Sequence, residues 1–285
     1  MLELLLNPKK AEREPWEMFF IGLFYAALSI LLVNWIFSGD AVLSKYSGIL
    51  VVTFTVMFSL PFMYYIIKYE EEKSIEVEGA FKLLKTHSTA ILALMWLFFG
   101  FIVSFSFLYV VLSSSQSFRA QIETYCLINR PANFDQCVQE YGVKGVVKTT
   151  AFLTAKEKLF MIFANNIYVL IFTLVFSLIF GAGAIFVLAW NASVIAAAVG
   201  IFSKESLSNL PLGILRYMIH GVPEIASYFI GALAGGIVSV AIIRHDFGTE
   251  KFWNILQDSL NLIIIAVVVL FFAALIEVFI TPSLF

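Results

Sequence analysis

The 285-residue chain is much more apolar than a soluble domain, because 61% of its residues are hydrophobic and only 13% are charged, against about 25% charged in ordinary soluble proteins. This composition predicts an all-α, polytopic helical membrane protein whose solvent is the lipid bilayer. The net charge of −2 provides no basic surface, so no nucleic-acid partner is expected.

The N-terminal part of the chain, residues 1–112, predicts three membrane helices and one charged loop. The segment before the first helix carries Lys9, Lys10 and Arg13 and lacks the pattern of a cleavable signal peptide. The positive-inside rule places this segment on the cytoplasmic side of a prokaryotic cell membrane. The three spans are expected at residues 16–37, 47–67 and 89–112, and the cytoplasmic loop at residues 68–87.

Residues 113–159 form the long polar segment of the chain, and three preceding spans place it outside the cell. The segment holds both cysteines, Cys126 and Cys137. An external position favours a disulfide between them, whereas metal binding would need a CxxC or histidine spacing that the sequence lacks. The mixture of aromatic and charged residues predicts short helices that pack on the membrane domain.

The C-terminal part, residues 160–285, predicts the membrane core, with one ambiguous crossing. A long apolar run at 160–190 is followed by residues 191–202, which reach only about 18 Å against a hydrocarbon core of about 30 Å. This short segment either re-enters the membrane, giving six passes, or crosses a thinned membrane, giving seven. A crossing puts Arg244 and Lys251 in the cytoplasm, and the positive-inside rule favours that arrangement.

A helix break is predicted at Gly221 and Pro223. Glycine tolerates unusual dihedral angles, and proline, which lacks an N–H donor, fits the first turn of a helix. Glu224 would then lie in a first turn, where unpaired amides favour a carboxylate. An ionised glutamate inside the bilayer costs about 2.5–3.5 kcal/mol unless it is paired or hydrated. Its candidate partners are His220, Asn165, Asn166, Asn191 and Arg216.

A second pattern in this region is the small-residue face formed by Gly231, Gly235 and Gly236. Small residues at helical spacing allow another helix to approach closely. The sequence leaves open whether that helix belongs to the same chain or to a second copy in a homo-oligomer.

An ordered set of asparagine, histidine, glutamate and glycine residues runs through residues 160–245. In chain order the set is Asn165, Asn166, Gly181, Gly183, Asn191, His220, Gly221, Glu224, Gly231, Gly235 and Gly236. This set resembles the stage II sporulation protein M family of integral membrane proteins, with Ile219 where members usually carry proline. The resemblance implies a non-enzymatic scaffold or assembly protein that organises other membrane or envelope proteins at the cell membrane.

The alternative function is a transporter or channel for a small solute or ion, with its polar site at the His220–Glu224 break. A hydrated, polar-lined cavity at the break would favour the transporter, and a dry, packed one the scaffold. An enzyme is not expected, since the sequence contains no HExxH, GxSxG or P-loop motif. The three histidines are too scattered to predict a metal site, and no cofactor is predicted.

Overall fold

The computed structural model describes residues 11, 13–74, 80–112, 116–129, 133–142, 154–180, 184–203, 206–243 and 248–285. Across these ranges the chain is almost entirely helical, and no strand occurs in them. Seven of the helices described are long and apolar enough to cross a membrane. The all-α, multi-pass membrane fold predicted from the sequence is therefore confirmed. Among the residues singled out above, Lys9, Lys10, Gly181, Gly183 and Arg244 lie outside the described ranges.

The helices are numbered here in chain order. They are α1 Glu17–Phe37, α2 Ser47–Ser74, α3 Ala80–Thr86, α4 Ser88–Val111, α5 Arg119–Asn129, α6 Phe134–Gly142, α7 Ala155–Phe180, α8 Ala184–Phe202, α9 Leu210–Ile243, α10 Glu250–Leu275 and α11 Thr281–Leu284, with a π-helical turn at Ile276–Ile280 between the last two. The seven long helices are α1, α2, α4, α7, α8, α9 and α10.

The first three spans lie close to their predicted positions, but the loop expected at residues 68–87 is partly helical. Helix α2 continues to Ser74, and α3 occupies residues 80–86. Pro61 lies inside α2. Membrane helices tolerate such a proline, which usually kinks the helix.

The predicted boundary between a long span at 160–190 and a short segment at 191–202 is wrong. Helix α7 ends at Phe180 and α8 begins at Ala184, so Asn191 lies inside α8 and not at a junction. The 19 residues of α8 extend about 28 Å, close to the thickness of the hydrocarbon core. Hydropathy could not locate this boundary, because both helices belong to one continuous apolar run.

The predicted break at Gly221 and Pro223 is also wrong. Helix α9 runs from Leu210 to Ile243 with Pro223 inside it. The proline removes the N–H that would normally bond to the Ile219 carbonyl, but the next turn remains helical and Ser227 Oγ donates to the Pro223 carbonyl at 2.8 Å. Membrane helices tolerate such prolines because neighbouring helices and hydroxyl side chains hold the backbone.

The helices form two tightly packed groups joined by α8. In the first group, α1 lies directly against α4, and a Cβ atom on Gly22 or on Gly100 would collide with the backbone of the other helix. In the second group, α9 packs between α7 and α10. Helix α8 contacts both groups, through α4 on one side and through α7 and α9 on the other.

The small-residue face of α9 packs against α7 of the same chain. A Cβ atom on Gly231 would collide with the Leu170 side chain, and one on Gly235 would lie 2.5 Å from the Leu174 carbonyl oxygen. Ser177 Oγ of α7 donates to the Ala232 carbonyl at 2.5 Å. The question left open by the sequence is thereby answered in favour of an intrachain contact.

The two short helices α5 and α6 form a hairpin that we call the cysteine hairpin. A disulfide joins Cys126 to Cys137, whose Cα atoms are 5.7 Å apart, so the predicted pairing is present. Gln121 of α5 is buried and donates through Nε2 to the Gly48 carbonyl at 2.9 Å and to Ser193 Oγ at 3.2 Å. The hairpin is therefore docked on the membrane helices, as the composition of this segment predicts.

The orientation of the seven helices can be checked by labelling single introduced cysteines in intact cells. With the N-terminus inside, seven crossings put residue 250 in the cytoplasm and residue 285 outside, in agreement with the charge bias. A cysteine replacing Phe285 should react with a membrane-impermeant maleimide, and one replacing Glu250 should be protected. A protected residue 285 together with a reactive residue 250 would contradict this topology.

Candidate functional site

The core of the bundle is largely apolar, but one set of polar side chains lies where α7, α9 and the end of α10 meet. We call this set the polar cluster. Its members are Asn166 on α7, His220 and Glu224 on α9, Glu277 in the π-helical turn and Thr281 at the start of α11.

Glu224 is tied to α7 by a hydrogen bond. Asn166 Nδ2 donates to Glu224 Oε1 at 2.8 Å, which is a normal length for a bond to a carboxylate. Asn166 is buried and Glu224 is partly buried. Asn165 Nδ2 lies 3.5 Å from Asn166 Oδ1, so this bond is at the weak limit. Of the partners considered from the sequence, Asn166 is the one that bonds to the carboxylate.

Glu277 is a second carboxylate at the same place. It lies in the π-helical turn that packs against α9, within electrostatic range of Glu224, and it is also only partly buried. Two negative charges held together in apolar surroundings repel each other, so the pair is stable only when a proton or another cation offsets one charge. The π-helical geometry at Ile276–Ile280 is a deviation that is frequent at functional sites.

His220 is hydrogen-bonded to Thr281. His220 Nδ1 and Thr281 Oγ1 are 3.2 Å apart, and Thr281 Oγ1 donates its own hydrogen to the Ile276 carbonyl at 3.2 Å. The two contacts are compatible with each other when His220 carries a proton on Nδ1 and donates it to Thr281 Oγ1. Within the part of the chain that the structure describes, no hydrogen bond joins His220 to Glu224.

Two further groups connect the cluster to its surroundings. Tyr228 is one helical turn beyond Glu224, is only 2% exposed, and interacts electrostatically with both carboxylates. Lys158, near the beginning of α7, is exposed and interacts electrostatically with His220 and Glu277. The cluster thus lies toward the end of the bundle at which α7 begins.

Some residues that the sequence assigned to the polar core are not part of it. Asn191 Nδ2 donates to the Val187 carbonyl of its own helix at 2.7 Å. The Arg216 guanidinium lies over the Phe202 ring, 5.3 Å from the centroid. Gly221 and Pro223 are residues of a continuous helix, so Glu224 has no free helix-start amides to cap.

The sequence does not connect Glu277 and Thr281 with this site. Glu277 was visible as an isolated carboxylate in the last span, but its distance from Glu224 along the chain gave no signal of contact. Whether Glu277 lies near Glu224 depends on how α10 packs against α9, and the sequence pattern within each helix does not encode that packing.

The opposite side of α9 borders an apolar groove. The groove has a volume of about 760 Å³ and lies between α4 and α9. Its lining consists of Leu92, Met95, Trp96, Phe98, Phe99, Val103, Leu210, Pro211, Ile214, Leu215, Met218, Gly221, Val222 and Ile225. His220 and Val222 are separated by about 200° around the helix, so α9 divides this groove from the polar cluster.

Comparison with known proteins gives one family and one relative. The family model described as stage II sporulation protein M matches residues 80–282, a range that includes every member of the polar cluster. An uncharacterized protein of Methanocaldococcus jannaschii is 29% identical over 128 residues, which cover 43% of this chain and 70% of that protein. No solved structure matches the chain.

The bond between Asn166 and Glu224 can be tested by a double-mutant cycle. Replacing Asn166 with leucine leaves the partly buried carboxylate without its donor and should destabilise the protein by about 1–3 kcal/mol. In a Glu224→Leu background the same replacement should cost less, giving a coupling energy of about 0.6–2 kcal/mol. Thermal unfolding in detergent measures each step.

Asn165→Leu is the matched control, because the neighbouring amide makes only the weak contact with Asn166. Its effect on the melting temperature should be smaller than that of Asn166→Leu. Equal effects of the two replacements, or full additivity of Asn166→Leu and Glu224→Leu, would contradict the assigned bond.

Proposed function

The chain belongs to the stage II sporulation protein M family of membrane proteins, and we propose that it is a transporter or channel that takes up a proton or small cation at the Glu224–Glu277 pair. The observation that carries this proposal is the position of two partly buried carboxylates on neighbouring packed elements of the membrane-crossing bundle, α9 and the π-helical turn. Ionisable side chains in such positions commonly mark ion pathways and proton relays.

A purely structural role explains Glu224 less well. The sequence suggested a carboxylate that caps the start of a helix, but α9 is continuous at this position. The remaining stabilising contact is the bond from Asn166, while the neighbouring Glu277 contributes repulsion. A fold that needed only stability would be served better by apolar side chains of similar volume at this position.

Access from water is part of the proposal. An ionised glutamate exposed to hydrocarbon near the bilayer centre would cost about 2.5–3.5 kcal/mol, so the exposed fraction of Glu224 and Glu277 has to face water for either group to ionise. Lys158 is exposed and within electrostatic range of Glu277, so we expect water to enter from the end of the bundle that carries Lys158.

The groups around the pair are hydrogen-bond donors, and these suit a proton shared between the two carboxylates. Asn166 presents its amide nitrogen to Glu224, so the amide acts as a donor here and its oxygen is directed away from the carboxylate. The Tyr228 hydroxyl is another donor group within electrostatic range of both carboxylates. Donor groups stabilise a pair that shares one negative charge, and a proton is the simplest cation that such a pair can exchange.

Proton flux into liposomes tests the proposal. The full chain is reconstituted with a pH-sensitive dye inside, and a membrane potential is imposed. The parent protein should acidify the interior faster than empty liposomes, and Glu224→Gln and Glu277→Gln should each reduce the rate to the empty-liposome level, because an amide cannot exchange a proton at this position.

The control variant is Glu14→Gln, which changes an exposed carboxylate outside the spans and should keep the parent rate. Each variant should also unfold at a temperature close to that of the parent. If the parent carries neither protons nor monovalent cations, or if both glutamine variants retain its flux, the proposal is wrong.

An assembly role is the second candidate, and the cysteine hairpin is the feature that favours it. The hairpin is a folded element beside the membrane helices, and its Leu127 side chain is 60% exposed. A photo-crosslinking residue at position 127 should then give one defined protein adduct in cells, both in the parent and in the Glu224→Gln, Glu277→Gln double variant. Crosslinks to lipid alone, or to many proteins without one defined adduct, would rule out the assembly role.

A further inference from the structure

The last span of the bundle ends in an irregular turn that contains Glu277. The N–H of Thr281 donates to the Ile276 carbonyl, so this bond spans five residues, whereas the bonds of a regular α-helix span four. Pro282 directly follows Thr281. A proline ring clashes with the carbonyl four residues before it, here that of Val278, so the sequence disfavours a regular helix at this point.

Thr281 holds this turn with its side chain as well as with its backbone. Its Oγ1 donates to the same Ile276 carbonyl at 3.2 Å. Thr281 is only 5% exposed, so both bonds are shielded from bulk water. One carbonyl thus accepts two hydrogens from one residue, and this double contact stabilises the π-helical turn.

His220 connects the turn to α9. Its Nδ1 lies 3.2 Å from Thr281 Oγ1, and the ring is buried. Without the threonine hydroxyl, the buried nitrogen would lose this partner, which is costly for a polar group away from water. The bond is therefore a direct link between α9 and the end of the last span.

Two hydrogen bonds show that α9 and the last span run antiparallel. Ser259 Oγ of α10 donates to the Ala234 carbonyl of α9 at 3.1 Å. His220 lies earlier in α9 than Ala234, and it meets Thr281, which lies later in the chain than Ser259. Positions early in α9 therefore contact positions late in the last span.

This antiparallel arrangement relates the His220–Thr281 bond to the carboxylate pair. Glu224 is four residues after His220, and Glu277 is four residues before Thr281. Residues four apart in a helix are neighbours about one turn apart. In antiparallel helices the two steps lead in the same direction along the bundle, so the bond brings Glu224 and Glu277 to about the same level.

We propose that His220 and Thr281 are positioning residues for the carboxylate pair: their hydrogen bond holds the π-helical turn against α9 and keeps Glu277 level with Glu224. Neither residue exchanges the transported proton in this role. The inference rests on the proposed function, because it explains how the same site is kept in place, but it concerns geometry and is measured without ion flux.

Chemical crosslinking of the two carboxyl groups tests this role in the full-length chain in detergent. A membrane-permeant carbodiimide activates the carboxyl groups, and a short dihydrazide joins those that lie close together. Peptide mass mapping gives the yield of the Glu224–Glu277 link relative to singly modified Glu277. Thr281→Val removes the hydroxyl and keeps the shape of the side chain. It should lower the relative yield by about 2- to 10-fold, the change in population expected when one hydrogen bond is lost.

Thr281→Ser restores a hydroxyl at this position and should keep the parent yield. Thr173→Val is the matched control, because Thr173 is fully buried and its hydroxyl donates to the Val169 carbonyl of its own helix at 2.8 Å. It should leave the yield unchanged. His220→Leu tests the same bond from its other side. It should lower the yield in the parent and have no further effect in Thr281→Val, where the hydroxyl is already absent.

An unchanged relative yield in Thr281→Val, or an equal loss in Thr281→Ser or Thr173→Val, would overturn the positioning role. Single modification of Glu224 and Glu277 without any link in the parent would overturn it as well. The outcomes are separable from those of the flux assay. A link that depends on the Thr281 hydroxyl, in a parent without flux, supports the positioning role and removes the transporter. Flux together with a link that is insensitive to Thr281→Val supports the transporter and removes the positioning role.

Discussion

The approach of α7 to α9 over Gly231 and Gly235 sets the geometry on which the polar cluster depends. Because these positions lack Cβ atoms, the α7 backbone lies where a side chain would otherwise project. Asn166, which is closer to the beginning of α7, comes within hydrogen-bond distance of Glu224. In a bilayer no hydrophobic force drives helices together, so close packing and interhelical hydrogen bonds have to do so. The glycine contact and the polar contact therefore support each other.

Helix α9 presents chemically opposite faces to its neighbours. One face carries His220 and Glu224 toward α7 and the end of α10, and the other borders the apolar groove against α4. This division requires an unbroken helix, because a break at Pro223 would rotate the two halves relative to each other. The continuity of α9 thus keeps His220 and Glu224 on one face of the helix.

The cysteine hairpin is docked on the membrane helices by a buried glutamine. Gln121 is hydrogen-bonded to Gly48 of α2 and to Ser193 of α8. The disulfide is the kind of bond that persists outside the cytoplasm, in agreement with the side of the membrane that the charge bias assigns to this segment.

The sequence by itself determined that the solvent of this protein is the bilayer, predicted the cysteine pairing and the glycine face of α9, and limited the membrane passes to six or seven. These are properties of composition and local spacing. It also placed Asn166 among the partners of Glu224, because a buried carboxylate requires a nearby donor. Only the tertiary structure decided that α7 ends at Phe180, that α9 continues through Pro223 and that Glu277 and Thr281 join the site. A continuous apolar run does not mark where a chain turns, a proline breaks a helix only where neighbours do not hold its backbone, and residues distant in sequence meet only when helices pack.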